Sequence, residues 1–213
     1  MRYCVVVEAN RVEAAPSNVQ AAQMHKSDTI TGIPPIPRLA GERVSLRPHR
    51  DDDGDALFTL YGDPDVTRWW SHEPWTDRQQ AIAHLERMRR DRINDEFYPW
   101  AIASNADDAL IGTAALYEID RTHKRGMIGY SLSPSMQGRG YVNEALRLLI
   151  EFAWTTLDLQ RLEADTDPGN DASRHVLERL GFVLEGSMRK RWFVHGKWHD
   201  ASWYGLLRED YLA

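Results

Sequence analysis

The stretch Ser133-Pro134-Ser135-Met136-Gln137-Gly138-Arg139-Gly140-Tyr141-Val142-Asn143 is where residue types and spacing most clearly suit a chemical role. A glycine-containing turn between a strand and a helix exposes several backbone N–H groups at a positive helix end, an arrangement that cradles phosphate oxygens. The ligand expected there is anionic. Glycine could also serve such a turn through its backbone freedom alone. Two other phosphate-binding patterns fit less well. No Gly-Lys followed by Ser or Thr supplies a Walker loop. A dinucleotide fingerprint, the signature of a nicotinamide-dependent oxidoreductase, needs a third glycine at position 143, which is Asn143, although Glu163 and Asp165 lie roughly 20 residues on.

The elements that must position this turn follow from hydrophobic periodicity. From Glu42 the alternation of Val44 and Leu46, ended by Pro48, predicts a strand. Asp51-Asp52-Asp53 places negative charge at a helix start, with Ala56, Leu57, Leu60 and Tyr61 as its apolar face. Thr76-Asp77-Arg78-Gln79 fits a capping box ahead of a second helix carrying Ile82, Leu85, Met88 and Ile93. Three strands follow, Tyr98 to Ser104, Leu110 to Tyr117 and Met127 to Leu132, joined by polar connections of hairpin length. After the glycine turn a long helix buries Val142, Ala145, Leu146, Leu149, Phe152, Ala153 and Leu157. Arg161 to Thr166 reads as a strand, Asn170 to Leu180 as a helix stopped by Gly181, and the tail as two more strands. The order β, α, α, β, β, β, α, β, α, β, β indicates an α/β (α+β) fold with helices packed on a sheet.

Composition narrows the class further. The chain has 213 residues and a net charge of −6, which disfavours nucleic acid as a general partner. Apolar and charged shares of 42% and 27% are those of ordinary globular proteins. Cys4 is the single cysteine, so no disulfide forms within the chain. No apolar run approaches the roughly 20 residues that span a bilayer, and the apolar core after Met1 is too short for a secretory signal, so a cytoplasmic location is expected. Residues 1–40 carry Ile33-Pro34-Pro35-Ile36-Pro37 and no sustained apolar period, and are expected to form a loosely ordered extension, with Met24 as an alternative start. Residues 41–213 are expected to form one domain.

Gln137-Gly138-Arg139-Gly140-Tyr141-Val142 resembles the pyrophosphate loop of the GNAT superfamily of N-acetyltransferases: Gln or Arg, two variable residues, Gly, one variable residue, then Gly or Ala. Val142 departs from the small residue at the last position, which bears on how closely the backbone approaches a pyrophosphate. The run from Asn170 to Phe182, with Glu185-Gly186 beyond, resembles the second signature of the branch that acetylates ribosomal protein N-termini, the RimJ/RimL type. The resemblance spans about residues 41–213. It implies a central mixed, mostly antiparallel sheet with flanking helices, the acyl-CoA N-acyltransferase fold. The strands at about 126–133 and 160–166 would splay apart around the pantetheine arm of acetyl-CoA. It implies that backbone groups at Leu132 and Ser133 pair with that arm, while Gln137, Gly138, Arg139, Gly140, Tyr141, Val142 and Asn143 hold the pyrophosphate. Asn170 and Ser173 are carried over as cofactor contacts, Asn170 on the arm and Ser173 donating to the leaving thiolate. Asn170 can equally cap its helix, with Ser173 in the first turn.

The implied activity is acetyl transfer from acetyl-CoA, the cosubstrate, to a primary amine of a protein N-terminus or small molecule. Attack is direct, without an acyl-enzyme, which suits a chain whose one cysteine, Cys4, lies outside every motif. A non-catalytic acyl-CoA sensor on the same fold is the alternative. For the general base, Glu118, Glu185, His195, His199 and Asp200 lie at strand ends or turns, and Asp200 follows the turn where the family commonly has an acid. Glu185 could instead pair with Arg189 or Arg191, and water could take the proton with no dedicated base. His195 and His199 straddle a turn and do not share a helix face, so no metal is expected. Trp69, Trp70, Trp75 and Trp100 are candidates for an aromatic acceptor cleft, though core packing would claim at least some of them. Homodimers are common in the family, but no motif here demands one.

Overall fold

The computed structural model describes residues 35–90, 96–194 and 196–212. In chain order the elements are β1 (Leu39–Ala40), β2 (Val44–Arg47), α1 (Gly54–Gly62), α2 (Pro64–Thr67), α3 (Arg78–Arg90), β3 (Tyr98–Ser104), β4 (Leu110–Asp120) and β5 (Arg125–Leu132). They continue with α4 (Tyr141–Thr155), β6 (Arg161–Thr166), α5 (Asp171–Arg179), β7 (Val183–Val194), β8 (Lys197–Leu207) and α6 (Arg208–Leu212). Most of the extension expected over residues 1–40 lies outside the described residues, but β1 pairs with β2, so the folded part begins before residue 41.

The eight strands form one sheet in the order β1-β2-β3-β4-β5-β6-β8-β7. Neighbours are antiparallel except β5 and β6, which run parallel because α4 crosses over between them. Both faces of the sheet are covered, and β3 and β5 are accordingly buried along nearly their whole length. On one face Val142, Ala145, Leu146, Leu149 and Phe152 of α4 and Val176 and Leu177 of α5 pack on Leu46, Trp100, Ile128 and Leu162. On the other, Leu57, Leu60 and Tyr61 of α1 meet Ala81, Leu85 and Met88 of α3.

The capping box of α3 sits one residue later than the sequence suggests. The Asp77 side chain accepts from the Gln79 N–H at 2.9 Å, and Gln80 Oε1 reaches back to the Asp77 N–H at 3.0 Å. The buried stripe is therefore Ala81, Leu85 and Met88, leaving Ile82 45% exposed; Ile93 lies outside the described residues.

One irregularity of the sheet matters for function. The β5–β6 ladder holds only Arg125–Arg161, Gly126–Leu162 and Met127–Glu163. Beyond Met127, β5 stays with β4 as far as Leu132, while β6 stays with β8 as far as Thr166. The two parallel strands thus diverge into a wedge. Its closed end is tied by Glu163, which accepts from Arg125 at 3.2 Å and from Arg161 at 2.8 Å.

Candidate active site

The glycine turn lies at the open end of this wedge. Gly138 and Gly140 have φ of +74° and +81°, left-handed values that a Cβ disfavours, and Gly140 is the residue from which α4 starts. The first N–H groups of α4 have no partner within the helix and face outward at its positive end. They border a groove of about 680 Å³ lined by Gly138, Gly140, Asn143, Gly169, Asn170 and His175, among others.

The turn is braced from below and from the side. Gln137 Nε2 donates to the Leu132 carbonyl at 3.1 Å, so Gln137 shapes the loop instead of pointing along the groove. Arg43 Nη1 donates to the Arg139 carbonyl at 2.9 Å, its Nε donates to Glu144 at 2.9 Å, and its guanidinium lies 5.3 Å from the centre of the Tyr141 ring. Val142 is buried in the core beneath α4. Its departure from a small residue consequently leaves the groove side of the loop unobstructed.

The Ser133 N–H donates to Ile111 on β4 at 2.8 Å, so that group faces away from the wedge. Strand alternation turns the backbone groups of Leu132 the other way, toward the gap. Of the expected pair, Leu132 faces the gap and Ser133 does not.

Across the gap stands the start of α5. Asn170 Oδ1 accepts from the Ser173 N–H at 3.2 Å, which is a helix cap. Asn170 Nδ2, although buried, has no hydrogen-bond partner among the described residues. An unsatisfied buried donor costs about 1–3 kcal/mol, and a ligand carbonyl in the groove would remove that cost. Ser173 is fully buried, and its Oγ lies 2.8 Å from the hydroxyl of Tyr130, which reaches over from β5.

A second, much smaller cavity of about 40 Å³ adjoins the groove, and Arg68 and Trp69 line both. Its wall includes Trp70, Trp192 and the carboxylates Asp165, Asp167 and Asp200. Asp165, near the end of β6, is buried; its Oδ2 accepts from Trp192 Nε1 at 2.7 Å, and its Oδ1 has no partner among the described residues. Burial pushes its carboxyl up to about 6, against the opposing pull of the Trp192 N–H and of Arg191.

The family pattern described as an acetyltransferase (GNAT) domain matches residues 43–183. An uncharacterized N-acetyltransferase, p20, from Bacillus licheniformis is 32% identical over 175 residues, covering 82% of this chain and 98% of the relative. The chain belongs to the GNAT acetyltransferase family. The spermidine N(1)-acetyltransferase of Escherichia coli K12 is 28% identical over 170 residues, covering 80% of this chain and 89% of that protein. The solved structure of a putative ribosomal-protein-serine acetyltransferase from Vibrio cholerae superposes with a TM-score of 0.73 at 25% identity, covering 82% of this chain and 99% of the other. The enzyme is thus an acetyltransferase that uses acetyl-CoA and acts on amines. The splayed strands, the groove and the idle Asn170 amide fit that cosubstrate.

Several expectations for the acetyltransferase need revision. Trp100 is wholly buried against Tyr98 and Phe152, with its Nε1 donating to the Pro37 carbonyl, so it belongs to the core and not to an acceptor cleft. Trp75 packs against Tyr61 and His84 beside α3. Trp69 and Trp70 do border the small cavity. Glu185 pairs with Arg161 at 2.9 Å, at the closed end of the wedge, and not with Arg189 or Arg191. Asp200 is exposed and accepts from the Lys190 N–H at 2.8 Å, closing an irregular stretch of β7. His199 Nδ1 lies 3.3 Å from Asp167, Glu118 is an exposed residue at the end of β4, and His195 lies outside the described residues.

Sequence reasoning misses the roles of Tyr130, Asp165, Trp192 and Arg43. For Asp165 a signal exists: period-two alternation in Arg161-Leu162-Glu163-Ala164-Asp165 places Glu163 and Asp165 on one face, and Glu163 ends in ion pairs while Asp165 has none among the described residues. Tyr130 reads in the sequence as one more apolar strand residue. Only the meeting of β5 with α5 gives its hydroxyl a role.

Proposed function

We propose that this acetyltransferase joins acetyl-CoA and a cationic primary amine in one ternary complex, with attack on the thioester direct. The observation that carries this reading is the parallel ladder that stops at Met127–Glu163, with the glycine turn and the idle Asn170 amide opening onto one groove beside the gap. The N–H groups at the start of α4 hold the pyrophosphate, with Gly138, Gly140 and Asn143 lining its path. The Asn170 amide donates to a carbonyl of the pantetheine arm, and the Leu132 backbone pairs with that arm in the gap. Acetyl-CoA supplies the activated acyl carbon and a thiolate leaving group. Ser173, hydrogen-bonded to Tyr130, donates toward the sulfur.

The amine enters from the side of Trp69 and Trp70, where the carboxylates Asp165, Asp167 and Asp200 favour a positive charge, while the Arg68 guanidinium already covers one face of Trp69 at 4.8 Å. A polyamine and a protein N-terminus both have this chemistry; of the proteins named above, one is described as a spermidine N(1)-acetyltransferase and another as a putative ribosomal-protein-serine acetyltransferase. No described helix is long and apolar enough to cross a membrane, and a cytoplasmic location belongs to this reading.

Calorimetric titration with acetyl-CoA, followed by a thiol-release assay with spermidine and with peptides bearing different N-terminal residues, tests the proposal. Binding with turnover, and initial-rate lines that intersect, are expected. Parallel lines would indicate an acyl-enzyme and overturn direct attack. Binding without turnover on any amine would favour a sensor.

A further inference from the structure

The transfer needs a neutral amine, and a primary amine reaches the site mostly as an ammonium ion at neutral pH. We propose that Asp165 is the general base: its carboxylate, at the wall of the cavity bordered by Trp69, Trp70 and Trp192, takes the proton from the acceptor ammonium directly or through one water. This rests on the acetyl-transfer reading above.

Three observations carry it. The carboxylate is oriented, because Trp192 Nε1 holds Oδ2 at 2.7 Å, while Oδ1 has no partner among the described residues. The space beside it has room for a water or an ammonium group, since about 40 Å³ exceeds the roughly 10–15 Å³ that one water needs. The cavity also abuts the cosubstrate groove through Arg68 and Trp69, so an amine held there faces the gap where the acyl group lies. Burial pushing the carboxyl to about 6 adds that Asp165 is ionised at neutral pH yet a better proton acceptor than an ordinary carboxylate. Charged and titratable groups around it are Glu118 of β4, Arg68 after α2, Asp167 after β6, Arg191 of β7, and His199 and Asp200 of β8. None of the carboxylates among them matches its burial, and Asp167 and Asp200 already accept from backbone N–H groups.

The step balances. The Asp165 carboxylate takes one proton from the ammonium, and the freed lone pair forms the C–N bond to the acetyl carbon. The C–S bond breaks with its electron pair on sulfur. Of the three ammonium protons, one leaves to solvent through Asp165, one stays on the amide nitrogen, and one balances the thiol.

The test compares wild type with Asp165→Asn, which is nearly isosteric and can still accept from Trp192, using acetyl-CoA with spermidine and with an alanine-initiated peptide. Acetyl-CoA affinity should be unchanged, kcat/KM should fall about 100-fold, and the acid limb of the wild-type rate near pH 6 should vanish. Carbon-13 NMR of aspartate-labelled protein should show one carboxyl titrating near pH 6 that is missing in the variant. Asp165→Glu should recover part of the rate. A variant within threefold of wild type with the same acid limb, or an Asp165 carboxyl titrating below pH 5, would overturn the role. Wild type that binds no acetyl-CoA would instead sink the transfer reading, and the base with it.

Discussion

Asp53 and Asp165 are the same side chain at nearly the same burial, and the protein uses them in opposite ways. At the foot of α1, Asp53 receives both ends of the Arg47 guanidinium at 2.8 and 2.7 Å and the Arg50 N–H at 2.8 Å. Burial alone would raise its carboxyl, but the Arg47 and Arg50 hydrogen bonds outweigh that and hold it below the usual carboxylate range. At the end of β6, Asp165 has the Trp192 indole N–H, its own backbone N–H and the field of Arg191, with no guanidinium among the described residues bonded to it, and burial wins. The first carboxylate is saturated and locked. The second keeps one oxygen unspent, as a group that must accept a proton from a ligand has to. Burial by itself therefore does not mark a functional carboxylate. The number of donors it lacks does.

The largest effect should come from breaking the saturated pair. Asp53→Ala leaves Arg47 buried without its bidentate partner, and a loss of about 3–5 kcal/mol is expected in urea denaturation. A loss below 1 kcal/mol would mean that the pair is replaced by water or by Asp108, whose Oδ1 lies 3.5 Å from Arg47 Nε and whose carbonyl accepts from Arg47 Nη2 at 3.1 Å. The sign with pH follows: the folded value of Asp53 is depressed, so its contribution is present above the ordinary carboxylate value and is lost as pH falls through the folded one.

Asp165 has the reverse linkage. Its folded value of about 6 lies above the ordinary 3.8, so relative stability is greatest below 3.8 and is lost as pH rises through 6. Asp165→Asn should consequently stabilise the fold at pH 8, by up to about 3 kcal/mol, and have little effect at pH 4. Thermal unfolding of variant and wild type at the two pH values measures this. A variant less stable than wild type at pH 8 would show that the carboxylate is structural, and the contrast with Asp53 would fail. Gain of stability with loss of turnover is the signature expected of a group kept for function.

A smaller effect is expected opposite, on α5. Ser173→Ala should lower turnover about tenfold, about 1.4 kcal/mol, with acetyl-CoA affinity preserved, because Asn170 still caps the helix. Equal turnover in the variant would leave Tyr130 or water as the donor to sulfur.

How much of this could be read from the chain depends on the range of the interaction concerned. The glycine turn, the stripe of α4 and the cap at Asn170 are local: φ above zero at Gly138 and Gly140, helical periodicity, and a side chain reaching three residues along. Sequence alone therefore determined the family, the glycine turn between strand and helix, and the order of the elements apart from the short β1, α2 and α6. It misplaced the α3 cap by one residue, since Thr76 and Asp77 are both competent caps and adjacent glutamines, Gln79 and Gln80, offer either register. It could not decide which tryptophan lines a cleft, since Trp69 and Trp100 are the same residue type and differ only in what packs on them. The Tyr130–Ser173 contact, 43 residues apart in sequence, and the Trp192–Asp165 bond, 27 apart, exist only once the sheet has formed. The identity of the base belongs to that second class. A carboxylate's proton affinity is set by the donors and solvent around it, and tertiary structure alone gave Asp53 a full complement and left Asp165 with an oxygen to spare.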